Sequence, residues 1–524
     1  MPWITMSEDK GEIILVSTGN EEGILHIGSY LTILDNTNKI HHIVRVTKSY
    51  QNTTFRPSPL IIEMNQSGLL ADQKCQNIVY ATRIIEIPER NDGKCSFIKP
   101  QLLARKSNQE EVDWAFNVRE GIPVFPATAY GRVCDHLMDE KGNYLRVLIP
   151  EDIYYHQTMV TGSTGSGKTV AMKYLLQYFC EKIDSNKGGA VFAINVKEED
   201  LLYLNRPSST DNQSIIKEWE DLGLSPHGIE SYKIYYPGTE YPRYSERVPE
   251  DKCFKITINT KNLDPNNIVG LVSNISEIAA DHLPAIFRYW KEEVNKGEKI
   301  LFINFLNYFS DPKKNREFTI KNEQGNIPDN TISIHPSTYE NIKRALTRAS
   351  HFFDIENAIE LTADHIIQRK KCSIIDITGK SSIGFGSILL RSVLDKIYDY
   401  NNNRSPSERI PVLIIIDEVH EFYGNARSRE ALDTMDAICR KGRSLKIGTI
   451  FSSQNPSDMP KGISNVVNSK FVFKSDSSAF KSLGLSKEGQ YFEPESLSAG
   501  YAMASIHGQT QLKLLKFPLS LAGV

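Results

Sequence analysis

Seven cysteines in 524 residues are few, odd in number and scattered from Cys75 to Cys439. None forms a C-x-x-C pair or a zinc spacing, which excludes a disulfide-stapled scaffold and a cysteine-held zinc. They read as reduced thiols in a cytoplasmic protein. Long hydrophobic runs are also lacking. Stretches such as Leu301–Phe309 and Val412–Ile416 fall far short of the ~20 residues that span a bilayer, so no membrane association is expected. The opening MPWITMSEDKGE has neither a basic n-region nor an apolar h-region, and no secretory leader is expected there. Charge of one sign is missing too. Lys and Arg total 61 against 64 Asp and Glu, a net −3, so any polyanion must be met by a local basic lining. What remains is a globular chain, 40% hydrophobic and 24% charged, long enough for two or three domains at roughly 150 residues each.

The first part is β-rich. Ile13–Ser17, Tyr30–Leu34, His42–Val46 and Asn77–Ile85 are short β-branched or aromatic runs between turn clusters, which predicts a small barrel or sandwich. Gly121–Pro126, with Pro123 and Pro126, reads as a connector. From about Tyr155 strands alternate with helices. Thr158–Thr161, Ala190–Val196, Cys372–Ile377, Val412–Ile416 and Lys446–Ser452 are near-continuous apolar runs. Thr169–Ile183 has apolar residues at Val170, Met172, Leu175, Leu176 and Phe179, a helical spacing. The class is α/β, with a parallel sheet covered on both faces. Between these runs Asn262–Arg369 reads mostly helical, over Ile268–Ile278, Leu283–Val294 and Tyr339–Phe353, broken by the polar loop Asp311–Asn330. It is expected to be an insertion.

Gly162-Ser-Thr-Gly-Ser-Gly-Lys168-Thr169 fits G-x-x-x-x-G-K-[ST], and it lies between a strand and a helix, as the motif requires. Gly162, Thr164, Gly165, Ser166 and Gly167 form a turn whose backbone N–H groups face phosphate oxygens. Lys168 reaches the outer phosphates, Thr169 supplies a hydroxyl to Mg²⁺, and Val170 opens the helix whose positive end faces the anion. ATP and Mg²⁺ are the expected cofactors. In Leu413-Ile-Ile-Ile-Asp417-Glu418 an apolar strand delivers two carboxylates at its carboxyl end, where open α/β sheets bind ligands. Asp417 would hold Mg²⁺ through water, and Glu418 would deprotonate the attacking water. A strand-end acidic cap is the plainer alternative.

Gln454 ends the next strand and is either a γ-phosphate sensor or an ordinary strand-end amide before a proline turn. Cys439-Arg440-Lys441-Gly442-Arg443 closes a helix from about Arg429. Its arginines are either complements to the helix dipole or a finger given to a neighbouring subunit. Asn195–Asp200 leaves a sheet strand at its functional edge, and the loops Thr378–Gly386 and Gly424–Arg429 follow strands and carry Gly plus Lys or Arg, as DNA-tracking loops do, or as solvated turns do.

Together these residues resemble the HerA branch of the HerA/FtsK superfamily of ring-forming P-loop motors. HQTMVTGSTGSGKT (His156–Thr169), LIIIDEVH (Leu413–His420), CRKGRSLKIGTIFSSQNPSD (Cys439–Asp458) and IGSYLTILDNTNKIHHIVRVT (Ile27–Thr47) carry the resemblance. It implies a RecA-like P-loop NTPase domain with a helical insertion, preceded by a small β-barrel. It implies Lys168 and Thr169 on nucleotide and metal, Asp417 and Glu418 as metal and catalytic acids, and Gln454 as sensor. Arg443 becomes the trans-acting arginine, with Arg440 second. The family often has Asp-Pro-x-Gly-Glu after the second strand. Here Asn195-Val-Lys-Glu-Glu199 stands there, with Glu199 the nearest counterpart.

The resemblance further implies a homohexamer with duplex DNA in its channel. An effector, a nuclease or a sirtuin-like NADase, would dock on the barrel, in DNA end processing or anti-phage defence. The expected division is 1–125 barrel, 126–261 first part of the core, 262–370 insertion, 371–499 second part, and 500–524 C-terminal strands and a bracing arm. The competing function is an ATPase scaffold that assembles and gates an effector without translocation. A conjugation or secretion motor is disfavoured, because such motors usually engage a membrane assembly and nothing in this sequence suggests anchoring.

Overall fold

A computed structural model describes residues 3–18, 25–52, 76–88, 96–130, 132–196, 201–237, 250–271, 277–296, 299–320, 331–377, 382–423, 438, 440–455, 467–476, 494–509 and 513–524. The amino-terminal strands close into a six-stranded antiparallel barrel. All four runs expected there are strands: Glu12–Thr18, Tyr30–Asp35, Ile40–Asn52 and Gln76–Ile87. Alternate residues Ile13 and Leu15, Leu31 and Ile33, Val44 and Val46, and Val79 and Ala81 point inward to one core, the period-two pattern of a half-buried strand. Trp3–Asp9 and Leu103–Lys106 close the ring by pairing with each other. Their outward residues Ile4, Met6 and Leu103 are exposed.

Helix Gln109–Phe116 leads out of the barrel. Its start is fixed by a capping box between Asn108 and Glu111, which satisfies two otherwise orphaned N–H groups. Gln109 exchanges two hydrogen bonds with the Arg146 backbone beyond it, at 3.0 and 2.9 Å.

Among the described residues the second body is built on one 14-stranded sheet. Its centre is parallel, in the order Lys371–Asp376, Ala190–Asn195, Val412–Ile416, Ile447–Ser453, Thr158–Thr161, Ser469–Val472. Phe192, Ile194, Ile414 and Ile416 join one core, while Val191, Ala193, Leu413 and Ile415 join the core on the other face. Both faces are buried, so these strands read as unbroken apolar runs. Ser231–Pro237, Cys253–Thr257 and Ile359–Glu360 extend the parallel part. The other flank is antiparallel: Tyr501–Ser505, Leu514–Lys516 and Gly121–Tyr130 follow in turn.

Two expectations are corrected here. Gly121–Pro126 is not a connector but half of strand Gly121–Tyr130, which runs across position 125. Ile122, Val124, Phe125 and Ala127 are all buried, and their burial outweighs the missing proline donors at Pro123 and Pro126. The Asp311–Asn330 loop holds strand Glu317–Thr319, paired with Thr331–Ser333.

The insertion is largely helical. Expected helix Ile268–Ile278 is a 3-10 segment, Pro265–Leu271, before helix Glu277–Tyr289. Rings of Phe287, Phe302, Phe305, Phe309 and Phe353 pack it onto the sheet core. The carboxyl-terminal residues lie against their own chain. Trp219 Nε1 donates to Leu519 O, and Lys173 Nζ donates to Gly523 O. Ser208 N and His227 N both donate to Leu521 O. No helix among the described residues is long and apolar enough to cross a membrane.

Candidate nucleotide site

Strand Thr158–Thr161 and helix Lys168–Asn186 bracket the glycine loop. The helix buries Ala171, Met172, Leu175, Leu176, Phe179 and Ile183, and its backbone leaves helical geometry at Ile183, where the apolar spacing ends. Gly167 caps its start at φ +94 with no side-chain bond, so first-turn donors are left for an anion.

The loop geometry requires glycine. A Cβ on Gly162 would lie 2.8 Å from Phe473 Cβ, and one on Gly167 would lie 2.6 Å from Gly500 N. Ser163 N donates to Lys474 O at 2.7 Å and Gly500 N to Ser166 O at 3.0 Å, so two distant turns clamp the loop from outside. Ser163, Thr164 and Gly165 are exposed, and Gly165, at φ +76, faces open space. Lys168 is buried, and its Nζ donates to Gly162 O at 2.6 Å. An ammonium folded onto a loop carbonyl beside an uncapped helix start fits a phosphate chain, which would replace that carbonyl as its partner.

Asp417 and Glu418 leave the carboxyl end of Val412–Ile416 and are both buried. Glu418 sits at φ +45, a left-handed geometry that costs an ordinary residue roughly 1–2 kcal/mol. Its N–H donates to Asp417 Oδ1 at 3.0 Å, and Val419 N donates to Ser452 O at 3.0 Å. Gln454 Nε2 donates to Glu418 Oε1 at 3.1 Å, and His420 Nδ1 lies 3.4 Å from Oε2. Gln454 and the phosphate loop share an edge because their strands are parallel neighbours, with Thr161 opposite Ser453. His420 closes the run Leu413–His420, and the sequence by itself gives it no role. Its place three positions after Asp417 was the available signal.

The arginines lie elsewhere. Arg443 precedes strand Ile447–Ser453 and is exposed, with Nη2 4.0 Å from Asp152 Oδ2, itself just ahead of the loop strand. A seven-residue strand spans about 20 Å, so Arg443 occupies the edge opposite its own phosphate loop. Nearby, burial, His507 and Arg443 hold His156 below its usual range. Arg440 is exposed on the same side. Asn195 is buried, its Nδ2 donating to Asp376 Oδ1 at 3.0 Å and its Oδ1 accepting Leu201 N at 3.2 Å. It therefore ties two strand ends to the following turn. Glu199, residues 378–381, the 424–429 loop and most of the Arg429–Cys439 helix lie outside the described residues.

A glycine loop, an acidic pair and a strand-tip amide gathered at the carboxyl edge of a parallel sheet define a RecA-like P-loop NTPase fold. No family model matches the chain. It is 24% identical over 136 residues to the DNA double-strand break repair helicase HerA of Saccharolobus solfataricus, covering 25% of this chain and 27% of that protein. It is 22% identical over 224 residues to the protein of the same name from Sulfurisphaera tokodaii, covering 41% and 44%. The matches thus span less than half the length of these curated relatives. Plasmid coupling protein TrwB, solved with a non-hydrolysable GTP analogue, overlays at TM-score 0.48 and 13% identity, covering 80% of this chain and 93% of that one. In its sequence the chain is HerA-like.

Proposed function

We propose that the chain is a ring-forming, ATP-hydrolysing DNA translocase of HerA type that works with a separate effector. The observation that carries this is the buried Glu418 carboxylate, hydrogen-bonded by Gln454 and with His420 Nδ1 3.4 Å away, on the edge that bears the phosphate loop. The name printed for the curated relatives supports DNA as the track.

ATP phosphates would lie along the loop N–H groups and Lys168, and Mg²⁺ would be held by the Thr169 hydroxyl and, through water, Asp417. When bound, this pair supplies a labile phosphoanhydride with its charge neutralised. Glu418 accepts the proton of the attacking water, and Gln454 orients that water while sensing the γ-phosphate. Arg443, on the far edge of its own sheet, reaches a γ-phosphate across a subunit boundary, which supports a homohexamer with shared sites. Duplex DNA passes through the channel. The barrel (1–125) docks a nuclease or sirtuin-like effector, in end processing or anti-phage defence.

The test is ATP hydrolysis by the purified chain with and without linear duplex DNA, alongside Glu418→Gln. Several-fold stimulation by DNA, lost in the variant, supports translocation. Hydrolysis indifferent to DNA overturns it in favour of a scaffold that gates its effector.

A further inference from the structure

We propose that Lys516 is a positioning residue for the phosphate loop, acting through Gly500. The inference rests on the nucleotide-binding reading above. Gly500 meets the loop backbone to backbone: its N–H donates to Ser166 O at 3.0 Å, and Gly167 has no room for a Cβ against it. On its other side Gly500 O accepts Phe517 N at 2.9 Å, and a Cβ on Gly500 would lie 3.2 Å from Lys516 Nζ. The turn is thus wedged between the loop and the Lys516 side chain.

That side chain is fixed. Lys516 Nζ donates to Phe517 O at 2.7 Å and pairs with Glu218 Oε2 at 3.2 Å, while Glu218 Oε1 lies 3.1 Å from His136 Nε2. Side-chain exposures of 14% for Lys516, 4% for Glu218 and 8% for His136 leave little water to take over these bonds. Burial disfavours the Glu218 carboxylate, but His136 and Lys516 outweigh it and hold its pKa below the usual range. An ammonium anchored at two points is a rigid post under the turn. The loop it backs uses left-handed φ at Gly162, Gly165 and Gly167, so its phosphate-binding shape is one of several open to it. Holding Gly167 from behind raises the fraction of molecules already in that shape, and apparent affinity follows that fraction. The turnover step, run by Glu418 on a different strand, is untouched.

The experiment compares MgADP affinity by calorimetry, and KM and kcat for ATP, in the full chain and its Lys516→Met, Lys516→Arg and Glu218→Gln variants. Lys516→Met is expected to bind MgADP about fivefold to tenfold more weakly, with KM raised alike and kcat held. Lys516→Arg restores most of the affinity. Wild-type MgADP affinity in Lys516→Met, whatever its melting temperature, overturns the proposal and leaves a packing role. If Lys516→Met does not fold, Glu218→Gln decides: a weaker MgADP complex supports the proposal, and an unchanged one overturns it. A wild type that binds MgADP without hydrolysing ATP sinks the hydrolase reading, and the affinity comparison still decides for Lys516. A wild type that binds no MgADP overturns both.

Discussion

Gln454 Nε2 reaches Glu418 Oε1 at 3.1 Å, joining the tip of one strand to the acid of the next. The bond makes the two side chains one unit. In the proposed mechanism a γ-phosphate that drew the Gln454 amide toward itself would also free one oxygen of Glu418, so that sensing and base activation would occur together.

Glu418→Gln keeps the shape of the side chain and removes its basicity. The variant should retain bound ATP while hydrolysis falls about 100-fold or more. Lys168→Ala should lose nucleotide binding itself. Single-turnover assays with filter-retained nucleotide separate the two effects, and near-normal turnover by Glu418→Gln would place the base elsewhere.

His420→Ala should lower kcat roughly tenfold with nucleotide affinity unchanged, because misorienting a base costs rate rather than binding. The Nδ1 of His420 lies 3.4 Å from Glu418 Oε2, so the substitution removes an imidazole packed beside that carboxylate oxygen. An equal loss of affinity would mean that His420 serves the nucleotide pocket instead.

Mixing Arg443→Ala with Lys168→Ala protein should restore part of the hydrolysis that each lacks. Some hybrid boundaries then pair an intact phosphate loop with an intact arginine. Verified mixed rings without recovery would show that Arg443 does not act across the boundary.

How far the sequence foretold this site depends on the distance between the parts. Thr158–Thr161 and Val412–Ile416 are strands with the expected ends, because burial on both faces writes an unbroken apolar run. The motifs at their tips are local in sequence and were found. Gly500 against Gly167 was not, since a backbone contact between remote turns leaves no periodicity. Trp3–Asp9 (WITMSED) was missed because its outward face mixes Ile4 and Met6 with charge. Pro123 and Pro126 suggested a break where tertiary packing imposed a strand.

Glu111→Gln tests the joint between barrel and core. Arg105 donates to the two oxygens of Glu111 at 2.6 and 2.9 Å, and Asn108 N donates at 2.9 Å. Burial raises the pKa of this carboxyl, but the bonds from Arg105 and Asn108 outweigh it and hold it below the ordinary 4.5. A depressed folded pKa contributes stability above the unfolded value and loses it as pH falls through the folded one. The variant should be less stable by about 2–3 kcal/mol at pH 7. The gap should narrow as pH drops below 4.5. Urea melts at pH 7 and pH 4 check this, and a gap independent of pH would assign the loss to packing.

Strand Gly121–Tyr130, just after the barrel, takes its neighbour from Leu514–Lys516, with Pro126 opposite Leu515. Most of the chain lies between these two partners. Cutting the protein into a barrel piece and a motor piece at the obvious place therefore opens a seam through the sheet. A fragment that keeps Gly121–Tyr130 and lacks Leu514–Lys516 exposes a buried apolar edge, of the kind that pairs with other copies. Truncations meant to isolate either half should be judged first by whether they stay monodisperse, and only then by what they bind.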